Sequence, residues 1–207
     1  MKKGLLIVIS GFSGAGKGTL VNAVLARHDN YALSISATTR SPRKGEVDGK
    51  SYYFITKEEF EACIAQGKFL EYARYVDNYY GTPKDRVIEL MEQGKDVILE
   101  IDCQGAAQAK AAYPDAVLVF VTTKDATVLK KRLTRRGTET KEQITKRLAR
   151  ATEEVDIISR YDYVLVNASL GRAVADFNRI VCAEHMKVKN NTEFISEIAE
   201  ELRGNAR

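Results

Sequence analysis

The sequence predicts a doubly wound α/β fold, in which helices cover both faces of a parallel sheet. Short apolar, β-branched runs recur at 5–10 (LLIVIS), 96–101 (DVILEI), 116–121 (AVLVFV) and 162–167 (DYVLVN). They are continuous rather than alternating, as expected of strands buried on both faces. Longer stretches with helical spacing separate them, which is what parallel neighbours need as crossovers. A glycine-rich turn, GFSGAGKGT at 11–19, follows the first run directly.

The first run and its turn set the frame for 1–35. Gly11, Gly14 and Gly16 let the backbone curl with its N–H groups inward, and a helix is expected to start near Lys17. Such a turn cradles a polyphosphate, and Lys17 adds a mobile positive charge for the β- and γ-phosphates of a nucleotide. The expected ATP-binding stretch is therefore Gly11, Phe12, Ser13, Gly14, Ala15, Gly16, Lys17, Gly18 and Thr19. It departs from G-x-x-x-x-G-K-[ST] at one place, where Gly18 stands instead of the hydroxyl that reaches Mg²⁺ in that loop. The G-K-G-T ending resembles that of adenylate kinases.

Two segments interrupt the strand–helix rhythm. Residues 36–95 hold SATTRSPRKGEVDGKSYYF, a short helical pattern KEEFEACIAQ, and FLEYARYVDNYYGT, and are expected to form a small mixed lobe inserted in the core. Residues 126–155 form two helical stretches joined by RRGTET and dense in arginine and lysine, a lid between the core segments 96–125 and 156–207. The remainder, 156–207, is expected to hold the last core strand and C-terminal helices, with a polar tail from about 188 whose job the sequence leaves open.

Composition narrows the partners. With 207 residues and 44% hydrophobic content, the chain can fill one sizeable core. Its net charge of +4 is too mild to argue for nucleic acid, which leaves anionic small molecules as the easier partner. Cys63, Cys103 and Cys182 form no C-x-x-C pair and read as reduced, mostly buried thiols. His28 and His185 carry no partner motif and are assigned to the surface. The opening apolar run is short and lacks a cleavage signal, and no other run approaches membrane length, so a cytoplasmic protein is expected. Oligomeric state is not written in the sequence.

Arg40 and Arg43, around Pro42 and followed by Tyr52, have the chemistry to hold a phosphate monoester through guanidinium forks and a hydroxyl. Taken alone they read equally well as a solvated basic loop, and Glu71 in its strand reads as an ordinary surface charge. The order of the motifs changes that reading. GFSGAGKGT, TTRSPRKGEVDGKSYYF, FLEYARYVDNYYGT, LEIDCQGA and RLTRRGTETKEQITKRL together resemble guanylate kinases, over nearly the whole chain to about residue 170.

The resemblance implies a P-loop kinase core that transfers a phosphoryl group from ATP to GMP, with dGMP as a further acceptor. It places Glu71 on guanine, whose adjacent N1–H and N2 amino group suit one carboxylate, with hydroxyls of Ser36 and Thr82 on the O6 side. It sets Tyr80, Tyr52, Arg40 and Arg43 on the GMP phosphate, with Gly81 in the same stretch. Glu100 and Asp102, ending a strand at the carboxyl edge of the sheet, are expected to face the acceptor and the reaction centre. Arg132, Arg136 and Arg147 are selected as the lid arginines that turn over the phosphates, catalytic together with Lys17 and Arg40.

Mg²⁺ is expected to ride on ATP with no direct protein ligand, Asp102 reaching it through water. Neither a nucleic acid nor a membrane partner is implied. Two rival readings remain: a kinase for another nucleoside monophosphate, favoured by G-K-G-T, and a noncatalytic binding module. Scaffolds of the second kind carry a degraded phosphate loop, whereas Lys17 and its glycines are intact here.

Overall fold

The computed structural model describes residues 3–135 and 141–205. Along the chain, β1 (Leu6–Gly11) and β2 (Tyr31–Leu33) come first. They are followed by β3 (Ala37–Thr38), β4 (Tyr53–Phe54), β5 (Phe69–Tyr75) and β6 (Asn78–Pro83), and then by β7 (Asp96–Glu100), β8 (Val117–Thr122) and β9 (Tyr163–Val166). Two sheets result, a five-stranded one in the order β2-β7-β1-β8-β9 and a four-stranded one in the order β4-β3-β6-β5. All pairings in the larger sheet are parallel.

Period-two alternation in β1 explains why its run is apolar throughout. Ile7 and Ile9 face a cluster with Leu20, Val21 and Val24 of α1 (Lys17–Leu25). Leu6 and Val8 face the opposite cluster, with Val87 and Met91 of α3 (Lys84–Glu92) and Ala106 and Ala109 of α4 (Cys103–Ala112). Here α2 is Lys57–Ala65. Both faces are covered, so each strand residue loses water whichever way it points. Helix α3 packs on this core even though it follows the small sheet in the chain. The edges differ from expectation. β2 is a three-residue edge strand whose segment gave no period, and β9 buries Leu165 but leaves Val164 and Val166 exposed, so it is a half-covered edge strand.

In the smaller sheet β5 pairs antiparallel with β6, setting Glu71 opposite Thr82 after an irregularity between Phe69 and Glu71. Phe60 of α2, fully buried, stacks on Phe69 at 4.3 Å and Tyr79 at 5.2 Å between ring centroids. A Cβ on Gly81 would stand 2.9 Å from the Glu71 carbonyl oxygen, so only glycine lets the two strands close there. Helices α5 (Ala126–Arg135) and α6 (Lys141–Val155) carry the basic segment, and Leu129, Leu133 and Ala151 join the β1 core. The chain ends in α7 (Leu170–His185) and α8 (Thr192–Asn205). No helix among the described residues is long and apolar enough to cross a membrane.

Two side-chain expectations need correction. Only Cys103 is a buried thiol, Cys63 being half-buried and Cys182 exposed on α7. Nor is His185 a free surface group, because its Nε2 lies 2.8 Å from Oδ1 of the buried Asp96. That carboxylate also accepts from the Leu5 main-chain N–H at 2.9 Å and from Asn30 Nδ2 at 3.1 Å. Asp96 thereby ties the entries of β1 and β2 and the end of α7 to β7. Replacing it by alanine leaves those donors in a low-dielectric setting, and Asp96→Ala should lower unfolding stability in urea by about 2–4 kcal/mol.

Candidate active site

The phosphate loop leaves the centre of the large sheet at its carboxyl edge, beside the point where chain connections diverge. Gly14 and Gly16 both have φ of 89°, a left-handed conformation that a side chain resists. Space is short as well: a Cβ on Gly14 would stand 2.9 Å from Leu133 Cδ2. Ala15 is buried, and Phe12 packs edge-on against Phe120 with centroids 4.9 Å apart. Lys17 opens α1 and donates from Nζ to the Gly11 carbonyl at 2.7 Å. Burial pulls its ammonium below the ordinary lysine range, while Glu100 and Glu154 pull it back up. Thr19 is exposed.

Glu100 and Asp102, expected together on the acceptor side, serve different neighbours. The Glu100 carboxylate faces the loop, with Oε2 3.4 Å from where a Cβ on Gly18 would be. Burial pushes its carboxyl up and Lys17 pulls it down. Asp102 Oδ1 caps α4, accepting from the N–H groups of Gln104 at 3.1 Å and Gly105 at 2.9 Å. Its Oδ2 pairs with Arg150 at 3.2 Å, and Arg150 also bonds Glu154. A cleft of about 450 Å³ brings Lys17, Glu100, Asp102, Arg147, Arg150 and Glu154 together.

The arginines of α5 and α6 reach the loop from outside. Arg147 donates to Ser13 Oγ at 2.8 Å. Arg132 donates to the Ala15 carbonyl at 3.0 Å and the Asn167 carbonyl at 2.8 Å. Arg136 lies outside the described residues. A second cleft, about 360 Å³, opens on this side between Gly14, Gly16, Thr19, Arg132, Asn167 and Leu170.

On the smaller sheet Thr82 donates to Glu71 Oε1 at 2.6 Å, and Glu71 is 8% exposed. The other carboxylate oxygen reaches across to the core, 3.1 Å from where a Cβ on Gly105 would stand. Ser36 is half-buried just before β3. Arg40 lies over the Tyr52 ring at 5.5 Å, and Tyr52 meets Tyr80 edge-on at 6.1 Å. Glu46 holds Arg40 through a 2.8 Å ion pair and accepts from the Arg43 main-chain N–H at 2.7 Å. The Arg43 side chain is exposed. Sequence reasoning passed over Glu46 and Asn167. Asn167 had one available signal, its place directly after a core strand at the ligand-binding edge.

A parallel core whose central strand feeds a glycine loop and a lysine, beside a small four-stranded sheet and a pair of arginine-bearing helices, is the architecture of a P-loop kinase. Within that class the chain belongs to the guanylate kinase family, whose sequence model, described as guanylate kinase, matches residues 3–184. It is 48% identical to the guanylate kinase of Caldanaerobacter subterraneus subsp. tengcongensis, over 97% of each chain. Against that of Clostridium tetani it is 50% identical, covering 91% of this chain and 90% of the relative. A solved relative, the guanylate kinase from Anaplasma phagocytophilum, superposes with a TM-score of 0.67 at 31% identity, covering 90% of this chain and 89% of that one.

Burial raises the Glu71 carboxyl above its ordinary range, against the opposing donation from Thr82. A carboxyl whose folded pKa is raised destabilises the fold above that pKa, and the cost is relieved as pH falls below the ordinary carboxylate value. Glu71→Gln keeps an acceptor for Thr82 and removes the charge. It should raise the thermal unfolding midpoint of the unliganded protein near about pH 7, a gain that shrinks away towards about pH 4.

Proposed function

We infer that the protein transfers the γ-phosphoryl group of ATP to GMP, yielding ADP and GDP. The observation that carries this reading is Glu71. It is a buried carboxylate whose Oε1 accepts from Thr82 and whose Oε2 lies beside Gly105 of α4; a carboxylate brings two acceptor oxygens, the number that guanine's adjacent N1–H and N2 amino group call for. Adenine offers an acceptor at N1 and would leave that carboxylate unsatisfied.

ATP takes the loop, with its phosphates against the main-chain N–H groups of Gly11 to Thr19 and Lys17 bridging the β- and γ-phosphates. Its nucleoside extends into the cleft lined by Arg132 and Asn167. Arg40, Arg43, Tyr52 and Tyr80 hold the GMP phosphate, and Ser36, Gly81 and Thr82 complete the base side with Glu71. The GMP phosphate is largely dianionic at neutral pH, so its oxygen attacks without a general base. Arg132, Arg136 and Arg147 stabilise the charge that spreads over the transferred group, and closure of 126–155 keeps water from competing. The lobe 36–95 holds the acceptor, although its α3 packs on the core that the segments 1–35, 96–125 and 156–207 otherwise form, and dGMP serves beside GMP.

Mg²⁺ carried on ATP would supply positive charge to the phosphate oxygens. Among the described residues no group of three or more His, Cys, Asp or Glu side chains could hold a metal ion. The residues fit a cation carried by the nucleotide: Glu100 presents its carboxylate at the Gly18 position, where the loop lacks a hydroxyl, and Asp102 stands in the same cleft. A cytoplasmic location suits these substrates.

A coupled ADP-release assay with GMP, AMP, CMP and UMP tests the reading, and equal activity on AMP and GMP would overturn it. Glu71→Gln should lose about 2–4 kcal/mol in kcat/KM for GMP while ATP binding hardly changes. Lys17→Ala should lower turnover by about a hundredfold or more. Gly18→Ser, whose new hydroxyl would meet Glu100, should alter the magnesium dependence only modestly; a many-fold faster enzyme at saturating Mg²⁺ would mean that the loop was damaged.

A further inference from the structure

Arg147 and Arg150 stand three residues apart on α6, a spacing that puts them on one face of the helix. Beside that face Ile144, Leu148 and Ala151 pack against the β1 core. Arg147 donates to Ser13 of the phosphate loop at 2.8 Å. Arg150 turns to α4, its NH2 lying 3.2 Å from Asp102 Oδ2. One helix is thereby fastened at two points, on the loop that follows β1 and on the residue that caps the helix after β7.

Both partners of the second fastening are held in advance. Asp102 Oδ1 accepts from the N–H groups of Gln104 and Gly105, which fixes the carboxylate and leaves Oδ2 for a donor from outside. Glu154, one turn further along α6 and with a side chain only 12% exposed, accepts from Arg150 Nε at 3.2 Å. The guanidinium is thus restrained with its NH2 facing Asp102. Three carboxylates, Glu100, Asp102 and Glu154, line the cleft beside Lys17 and Arg147, and Arg150 occupies two of them. With side chains 59% and 53% exposed, the Arg150–Asp102 pair adds little to the free energy of folding. Its effect falls on where α6 rests.

We propose that Arg150 is a positioning residue for phosphoryl transfer: by pairing with Asp102 it docks α6 on α4 and so sets Arg147 over the phosphate loop. Asp102 then serves as the dock, its outer oxygen committed to the guanidinium. Arginine suits the task because its planar fork reaches two carboxylates at once, whereas a lysine ammonium is a single point of charge. The inference rests on the reading that Arg147 stabilises the transferred group.

Steady-state kinetics, native-state hydrogen exchange of α6 and urea unfolding test the proposal. The proteins compared are wild type, Arg150→Ala, Arg150→Lys, Asp102→Asn, the Arg150→Ala, Asp102→Asn double variant and Arg147→Ala. Asparagine still offers Oδ1 to the N–H groups of α4, so Asp102→Asn removes the ion pair and keeps the cap. Arg150→Ala and Asp102→Asn should each lower kcat about fivefold, the shift that an exposed ion pair can impose on a docked helix, while KM for ATP and for GMP changes less. Arg150→Lys should recover part of the loss. The double variant should be no slower than Arg150→Ala alone, as for residues that act through one contact. Main-chain exchange in α6 of the unliganded protein should quicken in both single variants, with urea stability close to wild type.

Losses that multiply in the double variant, with a shifted Mg²⁺ half-saturation in Asp102→Asn, would place Asp102 on the cation side and overturn the proposal. A rise in KM larger than the fall in kcat for Arg150→Ala would make Arg150 a ground-state ligand, and a fall in urea stability matching the fall in turnover would make the pair a structural contact. Either result would also sink it. If Arg147→Ala were slow while Arg150→Ala kept full turnover and unchanged exchange, this inference alone would fail and the reading of Arg147 would stand. Undiminished turnover by Arg147→Ala would remove both.

Discussion

Strand β1 is bonded along both edges, to β7 and β8, and packed on both faces. Every one of its residues is buried, and the site follows from that enclosure. A strand held on four sides cannot shift its register, so the turn that leaves it begins from a fixed point. The only exit is at the carboxyl edge, where β7 also delivers Glu100 and β9 delivers Asn167. The loop's glycines then resolve a local conflict: the chain must curl tightly above Leu133 and beside Asn167, where Cβ atoms on Gly14 and Gly16 would collide.

Charge is arranged by pairing within the protein before any ligand is considered. Lys17 bonds the Gly11 carbonyl, Arg132 the loop and the end of β9, Arg147 a loop serine, Arg150 two carboxylates and Arg40 a third. These cations are therefore ordered at modest entropic cost to ligand binding, because their rotamers are already restricted. The same pairs link the helices α5 and α6 to the loop and to α4.

How much of this was legible in the sequence depended on whether a residue's role left a pattern. Strands β1, β7 and β8 did, because burial on both faces demands unbroken apolar runs. The loop did, because positive φ and close approach demand glycine at set intervals. β2 did not: three residues at an edge, with one neighbour, impose no period. For the small sheet, composition left Arg40 and Glu71 ambiguous, and only motif order distinguished them from solvated charges. Glu46, Asn167 and Asp96 were passed over for a shared reason. Each satisfies a group distant in sequence, an arginine, a loop carbonyl or a strand-entry N–H, and such partnerships arise from tertiary closure rather than from local spacing. His185 was misassigned for that same reason.

If the small lobe takes an acceptor phosphate as proposed, the Arg40–Glu46 pair makes its entry an ion exchange. Arg40 is already satisfied by one carboxylate oxygen at 2.8 Å and by the Ser41 carbonyl at 2.7 Å. In the proposed complex the acceptor phosphate competes with a resident anion rather than filling a bare positive hole. A ligand with a single diffuse charge would trade one anion for its equal and gain little, whereas a phosphate monoester brings nearly two charges at neutral pH. On the proposed reading the lobe acts as a charge-density filter, admitting nucleotides by the state of their phosphate in addition to the edge of their base.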